Sequence, residues 1–149
     1  DQAAFVGHSA GGLAALVASS LVEVEAYVSL DGVDAADVGV DAAPSVAEPS
    51  LFLHSDASAC NADANGTAWQ ALVTGDSWLV SVTDSSHCDY ESNTDYLCTL
   101  VCGAEDATRQ QTIQDYADAW VIHNTRGGAE DWIRGATATA DQSAGRIDW

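Results

Sequence analysis

The residues with the clearest chemical content are Gly7-His8-Ser9-Ala10-Gly11-Gly12. A serine hydroxyl is a weak nucleophile. To attack a carbonyl it needs a base to take its proton and a donor to hold the developing oxyanion. A G-x-S-x-G turn between a strand and a helix exposes such a serine to both, because it projects the hydroxyl above the strand end. Ala3 to Val6 reads as the strand, and Gly11 to about Ser20 as the helix. Ser9 is therefore the expected nucleophile. The backbone N–H of Ala10 is an expected oxyanion donor, and the helix N-terminus behind it favours negative charge. Gly7 and Gly11 are expected to let strand and helix approach closely. The alternative is an ordinary glycine-rich strand-to-helix turn.

A base should follow the last strand, in the chain order Ser…Asp…His. His87 stands there, in Ser85-Ser86-His87-Cys88-Asp89-Tyr90. The other histidines fit less well. His8 adjoins the serine and should point away from it. His54 lies within a strand, and His123 lies late in a helix. The acid that would orient the imidazole and stabilise its charged form has three candidates. Asp31 stands at a strand end in Ser29-Leu30-Asp31-Gly32 and ranks first. Asp56 and Asp63 follow the next strand and are the alternatives. Asp31 could also simply cap a turn.

Four elements must place these groups. Besides the strand before Ser9, apolar runs at Ala26–Leu30, Leu51–His54 and Trp78–Val82 read as buried strands. In the first helix Leu13, Leu16, Val17 and Leu21 form one stripe. Thr94–Cys102 reads as a short helix stopped by Gly103. From Thr108 to about Asn124 runs the clearest helix, with Ile113, Tyr116, Ala117, Trp120 and Val121 on its buried face. Residues 32–46 read as loop, and the tail after Gly135 has no clear period. Strands alternating with helices predict an α/β fold, a mostly parallel sheet covered on both faces. Trp69, Trp78 and Tyr90 are candidates for an apolar cleft or for the core.

The chain has 149 residues and a formal charge of −19, from 23 acidic and 4 basic residues. Such a charge repels phosphate backbones and excludes ordinary nucleic-acid binding. It also opposes binding to anionic lipid surfaces. The acidic excess suits either a high-salt habitat or an acidic secreted protein. No apolar run reaches membrane-spanning length. Cys60, Cys88, Cys98 and Cys102 suit an oxidising, extracytoplasmic compartment, and they contain no C-x-x-C pair of the kind zinc sites use. Three pairings are open. Cys98 and Cys102 are spaced so that a regular helix holds their Cβ atoms about 6 Å apart, too far for an unstrained bridge, so if they pair the segment must leave helical geometry. Asn65-Gly66-Thr67 fits a glycosylation sequon.

Together GHSAGG, SLDG, EPSLFLHSD and SVTDSSHCD, in this order, resemble the C-terminal half of the α/β-hydrolase family. The resemblance is strongest to platelet-activating-factor acetylhydrolases and bacterial polyester or lipid esterases. It covers residues 1 to about 95. It implies an α/β-hydrolase-type fold, Ser9 as nucleophile, Asp31 as acid and His87 as base, with no cofactor and no metal. The implied substrate is a small-molecule, lipid or polyester ester. The family places further strands before the elbow, so residues 1–149 read as a domain portion beginning at the nucleophile strand. The segment SACNADANG and the cysteines depart from the family pattern. Three rival functions remain: a non-catalytic binding module of the same fold, an acyltransferase using the same three residues, and a metal-binding domain built on the cysteines. Oligomeric state is not legible.

Overall fold

A computed structural model describes residues 2–91 and 93–149. Among these residues, five strands form one sheet in the order β1-β2-β3-β4-β5. They are β1 (Ala4–His8), β2 (Ala26–Leu30), β3 (Ser50–His54), β4 (Ser77–Val82) and β5 (Ile147–Asp148). The first four are parallel, and β5 pairs antiparallel with β4. Among the described residues, five α-helices accompany them: α1 (Ala10–Ser19), α2 (Val38–Ala42), α3 (Tyr96–Cys102), α4 (Ala107–Arg126) and α5 (Ala136–Ser143). The chain is thus an α/β protein with a mostly parallel sheet.

The strands alternate their side chains between two cores, as the period of two requires. Val28, Leu51, Leu53, Trp78 and Val80 face α4 and meet its Ile113, Tyr116 and Trp120. Tyr27 and Phe52 face the other side, with Leu16 of α1 and Trp69. Burying each such side chain fully contributes about 1.5–3 kcal/mol. Because both faces are covered, β2 and β3 are buried almost throughout. Trp69 and Trp78 are core residues, and Tyr90 is buried as well.

Several elements depart from expectation. Residues 32–46 are not all loop, since α2 and a 3₁₀ turn at Ala43–Ser45 lie there. Five residues are too few for a helical period to show. The β3–β4 crossover is 3₁₀ (Asn65–Ala71) rather than α-helical. Leu21 lies beyond the end of α1 and is exposed. The tail carries α5 and β5, where Asp141 accepts a hydrogen bond from the Tyr116 hydroxyl at 2.8 Å and Ile147 pairs with Val82. A two-residue strand has no sequence period at all.

The cysteines form two disulfides, Cys60–Cys102 and Cys88–Cys98. Cys98 and Cys102 both lie in α3 and do not bridge each other. That helix starts with the Asp95 carboxylate accepting from the Cys98 N–H at 2.8 Å. It buries no residue, and Tyr96, Leu97, Leu100 and Val101 are exposed. Among the described residues, no helix is long and apolar enough to cross a membrane.

Candidate active site

The sheet register brings the site together. His8 aligns with Leu30, Leu30 with Leu53, and Leu53 with Val80. The residues just past these positions therefore emerge along one edge of the parallel sheet. Ser9 follows β1, Asp31 follows β2, Ser55 follows β3, and the loop carrying His87 follows β4. Open parallel sheets place their ligand sites along this carboxyl edge.

Ser9 has φ 56° and ψ −124°, a conformation strained for any residue but glycine. Its backbone is held on three sides. The Ser9 N–H donates to the Leu30 carbonyl at 3.0 Å, and the Ser9 carbonyl accepts from Gly12 at 2.9 Å and Val33 at 3.2 Å. Its hydroxyl is not spent on capping α1. Ala10 and Gly11 open that helix, where N–H groups have no intrahelical acceptor. The close approach of strand and helix depends on Gly7, where an added Cβ would lie 2.1 Å from the Gly11 carbonyl oxygen. Gly12 is also tight, 3.0 Å from the Gly7 carbonyl oxygen, whereas a Cβ on Gly11 would meet open space. A missing Cβ thus matters at Gly7, which packs on the Gly11 backbone, and at Gly12 rather than at the expected Gly11. One turn position separates the two, and only the helix direction decides which faces the strand.

His87 is joined to Asp31. The imidazole Nδ1–H donates to Asp31 Oδ2 at 2.6 Å, with both residues buried. An ionised carboxylate only accepts, so this bond places the proton on Nδ1 and leaves Nε2 with a free lone pair. Asp31 also accepts from the Ser55 N–H at 3.0 Å, the Ser55 hydroxyl at 2.7 Å and Asn61 Nδ2 at 3.3 Å. Burial pushes the Asp31 pKa up, but the bonds from His87 and Ser55 outweigh it and hold the carboxyl below its ordinary range. Asp56 and Asp63 are exposed, and the carboxylate of neither takes part in this network. Of the three candidate acids, only Asp31 meets His87.

The nucleophile turn and the base loop touch through His8. Its ring lies 4.5 Å from that of His87, and its Nε2 donates to the His87 carbonyl at 3.2 Å. Burial, reinforced by His87, lowers the His8 pKa. The Ser9 hydroxyl and His87 Nε2 form no hydrogen bond in this structure. Such contacts are often long in unliganded sites and close with substrate. His54 bonds the Ser55 carbonyl and His123 bonds the Gly128 carbonyl, so the ring of neither is hydrogen-bonded to Ser9, Asp31 or His87.

One positioning group escaped the sequence reading. Asp89 is 2% exposed and carries the base loop. Its Oδ2 accepts from the Ser86 N–H at 2.7 Å and Arg109 Nε at 2.9 Å. Its Oδ1 accepts from the Asp106 N–H at 2.6 Å. The 3₁₀ turn His87–Tyr90 is thereby fastened to the start of α4. The S-x-x-D spacing of Ser86 and Asp89 was a capping signal available in the sequence. Beneath this turn, a cavity of about 440 Å³ is lined by Val6, Leu30, Tyr90, Gln110, Ile113 and Ala117. None of Ser9, Asp31 or His87 lines it, so it lies beside the site.

No known protein-family model matches the sequence, and no curated protein matches it. The functional reading therefore rests on the site itself.

Proposed function

We propose that this protein is a serine carboxylic-ester hydrolase of α/β-hydrolase type, acting through Ser9, His87 and Asp31. The observation that carries the reading is the buried His87–Asp31 hydrogen bond of 2.6 Å, set at the same sheet edge as a serine strained at φ 56°. A buried carboxylate that fixes a histidine tautomer has a role wherever that histidine must take up a proton.

In this mechanism His87 Nε2 takes the Ser9 hydroxyl proton as Ser9 Oγ attacks the ester carbonyl carbon. The carbonyl oxygen becomes an oxyanion held by the Ala10 N–H at the start of α1. The intermediate collapses, the C–O bond to the alcohol breaks, and His87 returns the proton to the leaving alcohol. An acyl-enzyme remains on Ser9. Water then attacks it, His87 again accepting the proton, and the carboxylic acid departs while Ser9 is restored. Asp31 keeps the imidazole oriented and stabilises its charged form throughout. The substrate is a small-molecule, lipid or polyester ester, and two disulfides suit secretion into an oxidising compartment.

Labelling with a fluorophosphonate probe tests the reading. Covalent capture of the probe that vanishes in Ser9→Ala supports an activated serine. Absence of labelling in folded protein overturns the reading and favours a non-catalytic binding module.

A further inference from the structure

The loop after β3 holds an asparagine that the mechanism above does not use. Asn61 is fully buried, although Ala59, Ala62 and Asp63 beside it are exposed. Its Oδ1 accepts from the N–H groups of Ser58 at 2.8 Å and Ala64 at 2.9 Å. Those two donors fix the amide orientation, so Nδ2 must face the other way. There it donates to the Ser55 hydroxyl oxygen at 2.9 Å, to Asp31 Oδ1 at 3.3 Å and to the Asp56 carbonyl at 3.0 Å. Ser55 in turn donates to Asp31 Oδ2. Two of these side-chain bonds, from Asn61 Nδ2 and from the Ser55 hydroxyl, end on the carboxylate that orients His87.

The covalent links continue the same connection. Cys60, the residue before Asn61, is bonded to Cys102 of α3. Cys98 of the same helix is bonded to Cys88, the residue after His87. The sulfurs of Cys88, Cys98 and Cys102 lie within 4.8 Å of one another. Since α3 buries no side chain, packing contributes little to its placement. What it does is join two loops, one supporting the acid and one bearing the base.

We infer that Asn61 is a positioning residue for the Asp31 carboxylate, and that α3 with its two disulfides is a brace that locks the Asn61 loop to the His87 loop. The inference rests on the serine-hydrolase reading for its consequence in catalysis, but not for the positioning itself. Asn61 supplies a neutral donor that steadies the charged acid without competing for its proton. The brace keeps that donor on one oxygen of the carboxylate and the imidazole on the other.

The test compares the full chain with Asn61→Asp and with the double variant Cys60→Ala/Cys102→Ala. Three quantities are read: the downfield NMR signal of the His87 Nδ1 proton, the His87 titration, and the pH profile of fluorophosphonate labelling. Asn61→Asp keeps the acceptor for Ser58 and Ala64 but sets a second carboxyl against Asp31. It should raise the His87 pKa, move the acid limb of labelling to higher pH and slow labelling about tenfold or more, the range expected when a hydrogen bond to a charged group is lost. The double cysteine variant should broaden the Nδ1 signal and slow labelling severalfold without moving the limb. Unchanged titration, Nδ1 signal and pH profile in both variants would overturn the inference, even if both melt at lower temperature. A shifted titration in protein whose wild type never labels would uphold the positioning and sink the hydrolase reading instead. Should Asn61→Asp fail to fold, Asn61→Ser and the cysteine variant decide on the same three readouts.

Discussion

The two halves of the site are organised in opposite ways. On the acid–base side, Asp31 is 1% exposed and accepts hydrogen bonds from His87, from the Ser55 backbone and hydroxyl, and from Asn61. Its strand, β2, is buried almost throughout. On the nucleophile side, Ser9 follows β1, whose residues are only half-buried or exposed, and its side chain is held by no capping bond. Its position is set by backbone alone, through strain at one residue and contact at two glycines. One half is made rigid by satisfied buried polarity, the other by sterics. Substitutions on the first should therefore lower stability and reactivity together, whereas the serine side chain can be removed with little effect on the fold.

The largest contrast is at the nucleophile. Ser9→Ala should abolish fluorophosphonate labelling while changing stability by no more than about 0.5 kcal/mol, as a side chain with no structural bond should. A denaturation curve beside the labelling gel checks both. Unaltered labelling would remove Ser9 from the chemistry.

Asp31→Asn comes next. It keeps the shape but disfavours the Nδ1–H tautomer of His87, and labelling should slow about 10⁴-fold, the scale such a change has in serine triads. Asp31→Ala should further cost about 1–3 kcal/mol for each donor left unsatisfied at Ser55 and Asn61. Asp56→Ala and Asp63→Ala, both at exposed positions, should match wild type. A loss at either would return the acid to the loop after β3.

Gly7→Ala sharpens the steric half. Its Cβ would collide with the Gly11 carbonyl, so destabilisation of about 3 kcal/mol or more is expected in urea unfolding, in line with severe backbone conflicts. Gly11→Ala, facing open space, should be close to neutral or slightly stabilising.

The smallest effect is in pH. His8 and Asp31 both have pKa values below their ordinary ones, 6.5 and 3.8. A lowered value means that the unfolded chain binds the proton more tightly than the folded one. Stability from His8 is then fully present above 6.5 and falls as acidification passes through its folded value. The Asp31 contribution follows at lower pH, below 3.8. Melting temperature should drop from pH 7 toward 5, and His8→Gln should flatten that slope. A slope that persists unchanged would assign it to other groups.

Much of this arrangement was legible before any coordinates, because it is local. The strand, turn and helix around Ser9 lie within one short stretch, and period and glycine spacing report such stretches directly. The apolar runs of β2, β3 and β4 are likewise local. Asp31 and His87, by contrast, are distant in sequence, and any of three aspartates could have followed a strand end. Through-space proximity chose between them, since the register that aligns Leu30 with Leu53 puts Asp31 beside Ser55 and within reach of the β4 loop. The cysteine pairings were open for the same reason, as was the role of Asn61, whose side chain is buried by its loop's path rather than by any apolar pattern. Sequence alone determined where Ser9 and His87 stand and which strands precede them. Tertiary structure decided which carboxylate orients the histidine and what steadies that carboxylate, because hydrogen bonds depend on distance and direction in space, and neither is written in residue order.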